Sequence, residues 1–145
     1  IQDNRFHLSN YGRWSMCVDD PQASDGKAAR MPADHHEWAV QWEVPSDVVR
    51  MGTLRCYVVA RCKAKGDAGE AFDLGIYDRE SRKNIILKTV AIAEVRNAYQ
   101  TIDLGVHELS DSMYFWIAPK KNPDQVREIL IDRIFCVRDG VEATP

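Results

Sequence analysis

The 145-residue chain predicts an all-β domain, two antiparallel sheets packed face to face as a sandwich. Apolar and polar residues alternate with a period near two along most of its length, as in strands buried on one side only. Turn signals recur about every 8–12 residues, among them Asn10-Tyr11-Gly12, Asp19-Asp20-Pro21, Lys65-Gly66-Asp67 and Ser110-Asp111-Ser112. The chain closes on two apolar runs flanking a polar loop, Tyr114–Pro119 and Ile129–Phe135 around Lys120–Gln125, which reads as a hairpin.

The elements follow in order. Trp38, Val40, Trp42 and Val44 alternate with Ala39, Gln41 and Glu43, which makes one strand, with Trp42 inside and Trp38 half-exposed beside the preceding loop. Leu54, Cys56, Val58, Ala60 and Cys62 form the inner row of a long strand and Arg55, Tyr57, Val59, Arg61 and Lys63 its outer row. Phe72, Leu74 and Ile76 alternate with Asp73, Gly75 and Tyr77. The segment 85–95 carries enough β-branched residues to favour a strand ending near Ala93 over a helix. With the closing pair, about nine or ten strands are expected.

Composition narrows the function classes. Net charge is -3, with no basic stripe, which argues against a nucleic-acid partner. Hydrophobic residues make up 45%, enough for a packed core. No apolar run reaches the roughly 18 residues of a membrane span. The chain begins at Ile1 and reads as one domain excised from a larger protein.

Four cysteines are present. Cys56 and Cys62 lie roughly 20 Å apart along one strand and cannot bond each other. No C-x-x-C pair offers a thiolate zinc site. Buried free thiols are expected, with a Cys17–Cys136 bridge between terminal strands as the alternative.

Tyr57, Tyr77 and Trp116 fall on faces opposite the clear apolar rows. If their strands are neighbours, they make an aromatic patch with room for a ligand over Gly75. Sugar rings stack their C–H faces on such rings while planar polar groups bond the hydroxyls. Asp34-His35-His36-Glu37 groups two histidines with two carboxylates, but neighbours in an extended chain point to opposite sides and do not share a metal ion easily. A solvated loop, or one that contacts a sugar, is the expectation. His7 and His107 have no partner spacing. No phosphate-cradling loop, dinucleotide fingerprint or nucleophile elbow is present.

Several segments, in order, resemble one family. Asp19-Asp20-Pro21-Gln22-Ala23-Ser24-Asp25-Gly26-Lys27-Ala28 is similar to the D-P-x-A-S-x-G-K-A stretch of jelly-roll carbohydrate-binding modules with the galactose-binding-like fold. The opening Ile1–Leu8 resembles their first strand, Trp38–Trp42 their third, Tyr57–Ala64 their central strand and Ile131–Phe135 their last. The resemblance implies an accessory domain that binds a polysaccharide or oligosaccharide and is joined in the same chain to a glycoside hydrolase or polysaccharide lyase. Its location would be extracellular, cell-surface or periplasmic. On this reading Trp38, Tyr57, Tyr77 and Trp116 stack on sugar, and His35, His36, Asn122 and Lys120 bond hydroxyls. Lys120 and Lys121 would also suit a uronic acid. No cofactor is required. A structural Ca²⁺ is the family's option, with Asp3, Asp25 and Asp132 at the matching places. Two other readings stand beside this one: a ligand-free sandwich that packs against a catalytic neighbour, and a small lyase or hydrolase using Glu37 or Asp34.

Overall fold

The computed structural model describes residues 6–139. Ten strands and two single-turn helices follow in the order β1 (Phe6–Leu8), β2 (Met16–Asp19), β3 (Lys27–Pro32), β4 (Val40–Glu43), α1 (Ser46–Val49), β5 (Thr53–Ala64), β6 (Glu70–Asp78), β7 (Lys83–Ala91), α2 (Ile92–Val95), β8 (Gln100–Glu108), β9 (Met113–Pro119) and β10 (Val126–Arg138). They form two five-stranded antiparallel sheets, β1-β4-β9-β6-β7 and β2-β3-β10-β5-β8.

Only β2–β3 and β6–β7 pair with their sequence neighbours; every other connection crosses between the sheets. That corrects the expected closing hairpin. β9 pairs with β4 and β6, while β10 pairs with β3 and β5. Both strands are central, so both are apolar enough to mimic a hairpin. The loop 120–125 is instead a crossover, held by Lys65 and Gly66 amides on the Gln125 carbonyl.

The core lies where the period-two pattern puts it. Leu54, Cys56, Val58, Ala60 and Cys62 are buried from one sheet, and Phe72, Leu74 and Ile76 from the other, with Trp42, Phe115 and Ile117. Between them they remove large apolar area from water, at roughly 25 cal/mol per Å². The segment 85–95 departs from expectation at its end. β7 stops at Ala91, and Glu94 turns back to accept the Ala91 amide (2.7 Å), which starts the single turn of α2.

The loop from Asp20 to Gly26 folds over the outer face of the second sheet. The amides of Asp20, Ala23 and Gly26 bond within it, and Gly26 takes a positive φ of 76° that a side chain would strain. Ala23 buries against Ala28 and Leu130. Asp20 of this loop bonds Arg61, which is why Arg61, on the outward row of β5, is nevertheless buried.

All four cysteines are free thiols as expected, Cys56 and Cys62 buried and Cys17 and Cys136 partly so, and the alternative Cys17–Cys136 bridge is not formed. Cys17 stands opposite Ala29 on β3, whereas Cys136 stands opposite Cys56, with sulfurs 3.6 Å apart.

Candidate functional site

The outward face of the β1-β4-β9-β6-β7 sheet carries the aromatic residues. Two register rows cross it: Gln41, Trp116, Gly75 and Leu87; then Glu43, Tyr114, Tyr77 and Asn84. Each is the outward partner of a core residue on its own strand, so the alternation that builds the core also sets these side chains on one surface. Trp38, two residues before β4, swings over them. Its indole lies 4.7 Å from that of Trp116 at 10°, and meets Tyr77 and Tyr114 edge-on at 5.5 and 5.7 Å. Such offset and edge contacts suit the ring quadrupoles.

The expected role of Trp116 is corrected here. It is 4% exposed, sandwiched between Trp38 and the backbone of β6, with its Nε1–H donated to Asn84 Oδ1 at 2.8 Å. The space over Gly75 is likewise filled. A Cβ there would stand 2.5 Å from the Ile86 carbonyl oxygen and 3.1 Å from the Trp116 ring, so glycine makes room for the indole and not for a ligand. Trp116 is a bed on which Trp38 is held flat.

Polar groups frame the aromatic cluster. Arg79 lies over the Tyr114 ring at 4.4 Å and grips Glu43 with both guanidinium nitrogens. That bond holds the Glu43 carboxyl below its usual range, and burial pushes the Tyr114 phenol up. Exposed Asn84 spends its oxygen on Trp116, and its amide nitrogen bonds nothing else among the described residues. Leu87, 59% exposed, extends the apolar surface past Gly75.

Tyr57 does not join this cluster. β5 belongs to the other sheet, where Tyr57 stacks on Phe135 at 4.9 Å, on the far side of the sandwich. His35 is also reassigned. It is buried against Trp14 (5.7 Å), its Nδ1 accepts the Glu37 amide and its Nε2–H donates to the Trp14 carbonyl. Burial lowers its pKa, outweighing the Trp14 carbonyl bond and the Asp34 and Glu37 charges, which act to raise it. It shapes the loop that delivers Trp38. His36 remains exposed.

Lys120 and Asn122 gather at one end of the same sheet. The Lys120 ammonium bonds Asp73 (3.2 Å) and Glu70 (3.3 Å), whose charges raise its pKa. Asn122 donates to the Glu70 carbonyl, and the Lys121 amide to the His35 carbonyl, which ties the crossover loop to the histidine loop. Lys120 is therefore already paired with two carboxylates, and the expected attraction of a uronic acid is weakened accordingly.

Of the calcium candidates, Asp3 lies outside the described residues. Asp132 is buried and its Oδ1 accepts both the amide and the hydroxyl of Ser24, while Asp25 accepts the Lys27 amide. These two carboxylates serve the Asp20–Gly26 loop. Among the described residues no group of three or more His, Cys, Asp or Glu is gathered for a metal.

A crevice of about 450 Å³ opens on the other sheet beside the Asp20–Gly26 loop, between Arg30, Lys63, Glu128 and Leu130. At its wall Asp20 accepts Arg61 (2.9 Å) and the Tyr99 hydroxyl (2.6 Å). Burial pushes the Asp20 carboxyl up, but these two partners outweigh it and hold it below the usual carboxylate range. This network pins the loop and turns the Tyr99 ring under Arg61. It therefore offers no flat ring to a ligand.

Asn84, Arg79, Glu43 and Leu87 were not singled out from sequence. Nothing in a lone Asn or Leu after a turn marks it as the register partner of Tyr77 or Gly75; only the bulged pairing of β6 with β7 does.

Among solved structures, the C-terminal family 22 carbohydrate-binding module of Clostridium thermocellum Xyn10B superposes with a TM-score of 0.63 over 97% of this chain and 89% of that one, at 15% identity. CBM27-1 of Caldicellulosiruptor saccharolyticus, solved in complex with mannohexaose, matches at 0.56 over 90% and 88%, at 12% identity. An arabinose-bound GH51 α-L-arabinofuranosidase matches at 0.59 and 12% identity over 92% of this chain, which spans only 23% of that enzyme's chain. No family model and no curated protein sequence matches the chain. The fold is the two-sheet jelly-roll sandwich of these carbohydrate-binding modules.

Proposed function

We propose that the domain is a non-catalytic carbohydrate-binding module that takes a polysaccharide or oligosaccharide on the outward face of the β1-β4-β9-β6-β7 sheet. One observation carries this reading: Trp38 is held flat on buried Trp116, half-exposed, at the centre of an aromatic cluster rimmed by Asn84, Glu43 and Arg79. A pyranose ring would lay its C–H face on Trp38, and the Asn84 amide, the Tyr77 hydroxyl and the Glu43–Arg79 pair would meet its hydroxyls. Rings preset by their neighbours lose little freedom on binding, which favours a shallow open site. Single-site affinity is weak on this account. It matters through tethering, since a linked catalytic domain gains effective concentration at the polymer. The modular carbohydrate-active neighbours support that linkage and a location outside the cytoplasm.

The test is affinity electrophoresis of the domain in soluble xylan and galactomannan. Retardation by at least one is expected, and Trp38→Ala should weaken it by roughly 30-fold or more while circular dichroism stays unchanged. No retardation in any polysaccharide, or retardation indifferent to Trp38→Ala, would overturn the assignment. Polysaccharide turnover lost on changing Glu37 or Asp34 would favour an enzyme instead.

A further inference from the structure

We propose that Cys56 and Cys136 are a thiol–disulfide site, a cross-strand pair that a small disulfide such as oxidised glutathione converts into a staple between β5 and β10. The inference is independent of the glycan reading. Antiparallel pairing sets Cys136 directly opposite Cys56, so both side chains leave the sheet on the same face. Directly opposed Cα atoms stand about 4.5–5.5 Å apart, inside the about 4.4–6.8 Å range of disulfides. The sulfurs are 3.6 Å apart, and closure asks for side-chain rotation with no slip of register. The other two thiols have no such partner: Cys17 faces Ala29, and Cys62 faces Ile129.

The two sulfurs also differ in a way that orders the reaction. Cys56 is fully buried and Cys136 half-exposed. The neighbouring Cys56 thiol stabilises a thiolate at Cys136 and lowers its pKa against the opposing effect of burial, while Cys56 itself is pushed up by Cys136 and by burial. Cys136 therefore attacks first as thiolate. Its sulfur bonds one glutathione sulfur, the glutathione S–S bond breaks, and the departing thiolate takes up the proton Cys136 released. Cys56 then loses its proton, attacks the Cys136 sulfur and expels the second glutathione thiolate, which takes that proton. Two cysteine sulfurs are oxidised and one glutathione disulfide is reduced to two thiols.

The product would close a ring of chain running from β5 through β10, tying the central strand of the sheet to its neighbour β5. Such a long ring stabilises chiefly by restricting the unfolded chain.

The experiment treats the reduced, folded domain with oxidised glutathione at mildly alkaline pH, then reads intact mass, a non-reducing peptide map and the melting temperature. Expected are loss of two hydrogen masses, a Cys56–Cys136 linked peptide and a rise in Tm of about 5–15 °C that reductant reverses. Cys56→Ala should stop at a glutathione adduct on Cys136, and Cys136→Ser should give neither the linked peptide nor the Tm rise. A stable glutathione adduct on wild-type Cys136, a Cys17–Cys136 or intermolecular bridge, or four unreacted thiols would each overturn the proposal.

Discussion

Trp38 and Trp116 are stacked neighbours with opposite duties. Trp116 is buried, hydrogen-bonded to Asn84 and seated over the only atom count that fits, a glycine. Trp116→Ala should cost about 3–5 kcal/mol of stability, read by urea unfolding, with loss of glycan retention following from the collapse of its support. Trp38→Ala should leave most stability intact and remove binding. Equal stability losses in the two variants would contradict this division of labour. His35 makes a separate prediction through pH. Its folded pKa is depressed, so below the unfolded histidine value, near 6.5, the unfolded chain binds the proton and the native domain does not. Stability is therefore undiminished above that value and falls as pH drops through it toward the lower native pKa. His35→Gln should flatten that part of the Tm–pH curve; an unchanged slope would show that burial does not hold the ring neutral.

At the level of elements, the Asp20–Gly26 loop is one of the segments whose sequence patterns, in order, carry the resemblance, and its structure explains the pattern locally. Asp20 meets Arg61 and Tyr99, Ala23 buries, Ser24 meets Asp132, and Gly26 takes the positive φ. Arg61 and Asp20 are both nearly inaccessible, so removing one strands the other charge. Asp20→Ala should cost about 3–5 kcal/mol, and the double variant Asp20→Ala, Arg61→Met should recover part of it, as measured by chemical denaturation. A single variant as stable as wild type would mean that the pair is solvated. The same scale shows where sequence reading stops. Period-two rows gave the inward residues of β4, β5 and β6 correctly because alternation depends only on the strand itself. Sheet membership depends on partners far along the chain. Tyr57 and Tyr77 look alike in sequence, yet one lies in each sheet; β9 and β10 look like a hairpin, yet each is the middle of a different sheet.

For the molecule as a whole, jelly-roll architecture was legible from alternation, turn spacing and ordered motifs, and three predicted residues, Trp38, Tyr77 and Trp116, do converge. Which ring faces solvent was not legible. It depends on Trp38 folding back from outside β4, a loop conformation set by buried His35 and Trp14. The outcome is a sandwich in which one outer face is partly covered by its own loop and the other presents a ring cluster framed by polar groups.

The central claim is that this second face meets the sugar. Titrating isotopically labelled domain with mannohexaose and with xylohexaose, and following amide and indole NMR shifts, tests it directly. Saturating shifts centred on Trp38, Tyr77, Asn84 and Leu87, with Tyr57 and Phe135 unmoved, are the predicted result. Shifts centred on the Tyr57–Phe135 face or the Arg30–Glu128 crevice, or no saturable shift with either ligand or with any longer polysaccharide fragment, would contradict it.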